Sequence, residues 1–163
     1  MIFVTLGTQD KTFPRLIQAV ERQVELGNIK EEVIVQSGST NYESDKIKII
    51  NFMSKEEHSK NLKDADLIIT HAGAGTIIEA LEMNKVVIAG ARKKEFGEHV
   101  NNHQEQLLEN FSQAGYVLAL NDFNKLDEVI KCAKDFNPNK FKHNNENFNQ
   151  KLLDEINFLL MDK

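Results

Sequence analysis

One short segment, Asp66–Glu79, constrains the fold of this 163-residue chain more than any other. It starts with the apolar, β-prone run Leu-Ile-Ile-Thr, passes through the small residues 72–75 and continues as helix-forming sequence. The first amides of a helix that follows such a turn have no intrahelical partner, and they point outward at the positive end of the helix dipole. Gly73 and Gly75 let a ligand approach the backbone closely. The segment therefore predicts an anion site, for which phosphate is the natural ligand.

The position of Glu79 extends this prediction from phosphate to a nucleotide. Glu79 lies one helical turn beyond Gly75, so its carboxylate can project from the same end of the helix. A carboxylate there suits the hydroxyls of a ribose, and the pieces together indicate a nucleotide-sugar site. The structural alternatives are a tight turn without a ligand and a solvated glutamate on the helix surface.

Strand and helix patterns alternate along most of the chain. Strands are predicted at 2–6, 32–36, 46–51, 66–70, 86–89 and 116–120. Helices are predicted at 13–26, 54–63, 75–84 and 98–113, and from a cap at Asn121 or Asp122 through Ala133. This order predicts an α/β fold with a doubly wound parallel sheet covered by helices on both faces. The ligand of such a sheet lies at the carboxyl ends of the strands.

The length of the chain favours a single domain over 1–163. Residues 134–150 are rich in Asn and Lys and are expected to connect to a last helix at about 146–160. That helix is more apolar than one sheet face requires. We expect part of its surface to contact a partner, although packing on the chain's own core and formation of a homodimer are alternatives.

Composition narrows the function classes. The net charge of −5 and the lack of a basic stripe argue against nucleic-acid binding. The first residues predict a buried strand rather than a signal peptide, and no apolar run reaches the roughly 20 residues that span a bilayer. The single cysteine, Cys132, excludes an internal disulfide and a four-sulfur zinc site, and is expected to be a helix-face residue. A reducing, cytoplasmic setting is the expectation.

Two common nucleotide-binding motifs do not fit. A dinucleotide fingerprint needs a small residue where Ile78 stands and an acidic residue at the end of the next strand, which closes with Ala89-Gly90. A P-loop needs Gly-Lys followed by Ser or Thr after a strand, and the sequence has none.

The segments that carry a family resemblance are the opening Val4–Thr8, the glycine-rich segment from Thr70 to Glu79, the strand at Val86, and Phe96–Gln104. Together they resemble the carboxyl-terminal, donor-binding half of family 28 glycosyltransferases, which implies a Rossmann-like domain forming one half of the GT-B fold. The resemblance is strongest to stand-alone versions of this half, which act as catalytic subunits of a two-subunit UDP-N-acetylglucosamine transferase and of bacterial exopolysaccharide and capsule enzymes. It covers about residues 1–133.

The resemblance implies a site and a mechanism. The expected substrate-binding residues are Gly7, Thr8, His71, Gly73, Ala74, Gly75, Thr76, Glu79, Glu98 and His99. The diphosphate of a UDP-sugar would rest on the glycine-rich turn, Glu79 would hold the ribose, and Glu98 and His99 would face the transferred sugar. Transfer would invert the anomeric centre without a metal or other cofactor, because the helix start can stabilise the leaving diphosphate.

The resemblance also implies a partner, because complete enzymes of this type carry an amino-terminal acceptor domain that often supplies the general base. We therefore expect a lipid-linked sugar acceptor and a membrane-associated subunit that binds it and holds this chain at the inner face of the membrane. The base is unassigned, with His71 and His99 as candidates. The second hypothesis is a noncatalytic module that binds a nucleotide sugar or stabilises a partner enzyme. The sequence does not indicate which sugar is moved.

Several polar residues have open alternatives. His71 either contacts the ligand or only bonds its turn, and Thr8 and Gln9 either reach the ligand or are turn residues. One of Arg92, Lys93 and Lys94 is a candidate phosphate contact, although a solvated charge run is the default. His99 and His103 are spaced to share a helix face, but the residues between them lack the glutamate of a zinc peptidase, so no metal site is predicted.

Overall fold

The computed structural model describes residues 1–142, and these form one six-stranded, all-parallel sheet. Its strands are β1 (Ile2–Thr5), β2 (Val33–Gln36), β3 (Lys48–Ile50), β4 (Leu67–His71), β5 (Val87–Gly90) and β6 (Leu118–Ala119). They are ordered β3-β2-β1-β4-β5-β6, so the order reverses between β1 and β4. The predicted doubly wound parallel sheet is confirmed.

Five α-helices connect and cover the strands. They are α1 (Pro14–Glu25), α2 (Lys55–Asp64), α3 (Ala74–Glu82), α4 (His103–Gln113) and α5 (Leu126–Ala133). Two apolar cores result, because successive strand residues point to opposite faces. On one face α1 and α5 pack on residues such as Val4 and Ile69, and on the other α2, α3 and α4 pack on Phe3 and Ile68.

The helix ends follow from local chemistry in two cases. Ser54 and Glu57 form a capping box at the start of α2, since each side chain bonds the backbone amide of the other residue. Pro14 stands at the start of α1, where its missing N–H costs nothing.

Three predicted boundaries were wrong. Helix α4 begins at His103 rather than Glu98, because the Asn101 and Asn102 side chains bond the backbone amides of His103 and Lys94 and hold the chain in turns. The sixth strand is reduced to Leu118–Ala119, and α5 is preceded by a separate 3-10 turn at Phe123–Lys125. The helix expected at 146–160 lies outside the described residues. Within residues 1–142, the helices are too short or too polar to cross a bilayer.

Candidate functional site

The loops that follow β1 and β4 lie side by side at the point where the strand order reverses. Parallel α/β sheets bind ligands in the crevice at this point, outside the carboxyl ends of the strands. The β1–α1 loop brings Gly7 and the exposed Thr8 to the crevice, and the β4–α3 turn brings Gly73 and Gly75. The structure thus brings together the two glycine-containing segments that the sequence analysis selected.

The start of α3 has the geometry of an anion site. Gly73 caps the helix without a side-chain hydrogen bond, and the first intrahelical bond runs from Ile77 N to Gly73 O at 3.2 Å. The amides of residues 74–76 therefore have no acceptor within the helix. A Cβ placed on Gly75 would meet nothing within 4 Å, so the side of the turn that Gly75 faces is open.

His71 fills the space between the two glycine segments. A Cβ placed on Gly7 would lie 2.8 Å from His71 Cε1, and one placed on Gly73 would lie 2.2 Å from His71 Nε2. Gly7 also has a φ of +73°, which side-chain-bearing residues rarely adopt. Gly73 is thus required by the imidazole ring that packs on it, whereas Gly75 faces open space.

The protonation state of His71 follows from its contacts. Thr70 Oγ1 donates to Thr5 O at 2.8 Å, so its 3.3 Å contact with His71 Nδ1 needs the hydrogen on Nδ1. Burial, assisted by the positive charge of Arg92, lowers the pKa of His71 to about 4. His71 is therefore a neutral, 7% exposed side chain that is a poor proton acceptor for chemistry near pH 7.

The low pKa of His71 predicts an acid-sensitive fold. Between its ordinary pKa of 6.5 and its folded value of about 4, the unfolded chain binds a proton that the folded chain does not. His71 therefore contributes stability above pH 6.5 that is lost as the pH falls toward 4. Urea unfolding of the parent and of His71→Asn measures this, and the parent should lose more stability over that interval. Equal losses would contradict the assignment.

Glu79 is held by α2. Its Oε1 accepts a 2.5 Å hydrogen bond from Ser59, and its Oε2 lies 3.9 Å from His58 Nδ1. On its other side His58 Nε2 lies 3.3 Å from Thr5 Oγ1, which donates to Gln36. The Glu79 side chain is 32% exposed, so its carboxylate is oriented by neighbours and still accessible. Sequence analysis missed His58 and Ser59 because only the packing of α2 on α3 brings them to Glu79.

Glu98 is occupied by protein contacts. Its carboxylate accepts hydrogen bonds from Arg15 Nε at 2.7 Å, Arg15 Nη2 at 2.8 Å and Lys93 N at 3.0 Å, and the residue is 3% exposed. The Arg15 guanidinium lies 4.3 Å from the ring centre of Phe96 and 4.0 Å from that of Phe123. In this structure Glu98 links the β5–α4 segment to α1 through its ion pair with Arg15. A contact between Glu98 and the sugar stays a prediction, and the observed geometry does not favour it.

His99, by contrast, is half-buried, and it lies near enough to Arg92 and His71 for their charges to interact. Asn101 N donates to His99 Nδ1 at 3.3 Å, so in the neutral ring the hydrogen is carried by Nε2. Burial, together with the positive charge of Arg92, lowers the pKa of His99. His99 is therefore set up as a neutral hydrogen-bond donor rather than as a general base.

The charged run after β5 does not form a phosphate-binding cluster. Arg92 is 1% exposed and its guanidinium bonds main-chain carbonyls, and Lys93 lies 3.2 Å from Glu105. Lys94 remains exposed. His99 and His103 do not share a helix, since α4 begins at His103, and no group of three metal-ligating side chains occurs within residues 1–142.

A doubly wound parallel sheet with an open helix start at its switch point is the architecture typical of nucleotide-binding α/β domains. Residues 1–157 match the model of the glycosyltransferase family 28 C-terminal domain, and the chain belongs to this family. The predicted family resemblance is confirmed.

Relatives and solved structures agree with this assignment. The chain is 34% identical over 73 residues to the UDP-N-acetylglucosamine transferase subunit ALG13 of Saccharomyces cerevisiae, covering 44% of this chain and 34% of the relative. The human subunit of the same name is 28% identical over 125 residues, covering 71% of this chain and 10% of the relative. The chain therefore spans 34% or less of the length of these relatives.

The structural neighbours support the fold. The solution structure of ALG13 matches with a TM-score of 0.58 at 24% identity, covering 93% of this chain and 94% of that one. The glycotransferase of kitacinnamycin matches with a TM-score of 0.60 at 18% identity, covering 82% of this chain and 35% of that one. These likenesses support a Rossmann-like α/β domain of the kind that forms one half of a GT-B glycosyltransferase.

Proposed function

We propose that this chain is the donor-binding, catalytic subunit of an inverting, metal-independent glycosyltransferase that moves a sugar from a UDP-sugar to a lipid-linked acceptor in polysaccharide synthesis. The observation that carries the proposal is the open helix start of α3 at the switch point, with Gly75 facing unfilled space and Glu79 oriented one turn away. Family membership and relatives that are named UDP-N-acetylglucosamine transferase subunits support the same substrate class.

In the proposed complex the diphosphate lies on the amides of residues 74–76, where the helix dipole stabilises the charge that develops as the bond to the sugar breaks. Glu79 accepts hydrogen bonds from the ribose hydroxyls. His99 donates its Nε2 hydrogen toward the transferred sugar. The acceptor hydroxyl attacks the anomeric carbon from the opposite face and inverts it.

The general base is proposed to come from the partner subunit. His71 is buried with a pKa of about 4, and the Nδ1 of His99 already accepts the Asn101 amide. Neither ring offers an accessible basic nitrogen. A membrane-associated, acceptor-binding partner that holds the chain at the cytoplasmic face of the membrane completes the proposal.

The deciding experiment is sugar transfer by the chain reconstituted with its partner. UDP-sugars of different hexoses are supplied with a lipid-linked acceptor, and the released UDP and glycolipid are measured. The noncatalytic alternative predicts that the partner alone transfers sugar at the rate of the pair. It is excluded when transfer requires this chain and the stereochemistry of the product is inverted.

Binding of UDP should not depend on a divalent metal. The proposed phosphate site consists of backbone amides, and the proposed partner would supply the other wall of the cleft, so we expect weak binding by this chain alone that persists in a chelator. Calorimetry with and without EDTA measures it. Binding that disappears with EDTA and returns with magnesium or manganese would contradict the metal-free mechanism.

Glu79→Ala should weaken UDP binding. A hydrogen bond to a charged group contributes about 1.5–3 kcal/mol, and the partial exposure of Glu79 puts the expectation at the lower end, roughly a tenfold loss of affinity. Ser59→Ala is the matched control, because it removes the hydrogen bond from α2 and leaves the carboxylate in place. Equal UDP affinities of folded Glu79→Ala and the parent would make Glu79 a packing residue only.

A further inference from the structure

Arg92 is a buried cation that lacks an ion-pair partner among the described residues. It is 1% exposed, and the carboxylate whose charge acts on it, that of Glu98, is hydrogen-bonded by Arg15 instead. Within residues 1–142, no ion pair to Arg92 is formed and its Nε has no hydrogen-bond partner. Burying a charge that is bonded only to neutral groups costs free energy of folding. A structural link between two segments does not require such a charge, so a purely structural role does not explain an arginine at this position.

The guanidinium joins the β1–α1 loop, which borders the crevice, to the segment that follows β5. Arg92 Nη2 donates to Leu6 O at 2.6 Å and Nη1 donates to Lys11 O at 2.8 Å, both in the β1–α1 connection. Nη1 also lies 3.4 Å from Glu98 O, next to His99. The fork geometry of arginine allows one side chain to hold carbonyl groups of separate segments, which the single ammonium of lysine does less well.

We propose that Arg92 is a positioning residue of the donor site, which locks the β1–α1 loop against the segment that carries His99 and places a fixed positive charge beneath the crevice. The inference rests on the proposed function. Its charge acts on both histidines there, because after burial the largest cause that lowers the pKa of His71 and of His99 is Arg92. A fixed charge in a poorly solvated place stabilises an anion without reorganisation, so the missing counterion is supplied when the diphosphate binds.

Two substitutions separate the effect of the charge of Arg92 from the effect of the shape of its side chain. Arg92→Met removes the charge and keeps an unbranched side chain, whereas Arg92→Lys keeps the charge and loses the fork. Arg22→Met is the control, since it removes the same charge from an exposed position on α1. For each folded variant, NMR titration gives the pKa of the His99 ring without ligand, and UDP and uridine affinities are compared.

In Arg92→Met we expect the pKa of His99 to rise, UDP affinity to fall about tenfold and uridine affinity to change less than twofold, because only UDP carries phosphate charge. Arg92→Lys should keep the low pKa of His99 and most of the preference for UDP, with shifted resonances in both loops. Arg22→Met should change none of these.

The proposal is overturned when Arg92→Met leaves the pKa of His99 unchanged, or when it weakens UDP and uridine equally. When Arg92→Met does not fold, Arg92→Lys decides: a retained preference for UDP supports the charge, and equal loss of both ligands overturns it. Absence of UDP binding by the parent would refute the proposed function, whereas the His99 titration still tests the placement of Arg92.

Discussion

His99→Ala should abolish most sugar transfer by the reconstituted pair and leave UDP binding nearly unchanged. The His99 ring carries its hydrogen on Nε2 because its Nδ1 accepts the Asn101 amide, and this donor is proposed to act on the transferred sugar rather than on the nucleotide. Loss of a hydrogen bond that orients the transferred sugar for in-line attack should lower kcat by roughly 10²-fold.

The matched variant is His99→Gln, whose amide can donate from a similar position. It should recover part of kcat, whereas alanine should recover none, and calorimetry should give similar UDP affinities for both. If His99→Ala lowers UDP affinity and transfer in parallel, His99 contacts the nucleotide rather than the sugar. Normal transfer by this variant would remove it from the site.

The sequence was sufficient for the parts of the fold that depend on local pattern. Apolar runs and helical spacing predicted all six strands and the five helices of the described range. The reason is that the spacing of apolar residues within each element identifies the face that it buries. The glycine-rich turn was found for the same reason. The start of α4 was wrong because the competition between the Asn101 side chain and the helix is decided by a turn geometry that periodicity does not encode.

The roles of polar side chains were harder to predict, because they depend on residues far away in sequence. Glu98 and His99 are adjacent, and the pattern could not show that one is buried against Arg15 while the other stays partly exposed. The same holds for Arg92, which was a candidate phosphate contact and instead bonds Leu6 and Lys11. Burial of a charge can be recognised only when its distant partners are in place.

Replacement of Glu98 should destabilise the fold strongly. Glu98→Gln leaves the Arg15 guanidinium between two phenyl rings without its carboxylate, and the Lys93 amide loses a charged acceptor. Removing one member of a buried ion pair costs about 3–5 kcal/mol, and because Arg15 is 25% exposed we expect about 2–3 kcal/mol in urea unfolding. Glu95→Gln is the control on the same segment: Glu95 is 61% exposed and 4.0 Å from Lys93, so its loss should change stability by less than about 0.5 kcal/mol.

The double variant Glu98→Leu with Arg15→Met separates the ion pair from the sugar contact that the family resemblance implies. Replacing both charges with apolar side chains removes the unpaired guanidinium, so much of the lost stability should return. If Glu98 acts only through Arg15, the double variant should also recover UDP binding and a measurable part of transfer. If Glu98→Gln is as stable as the parent and loses only transfer, the ion pair with Arg15 does not stabilise the fold, and the result supports the predicted contact between Glu98 and the sugar.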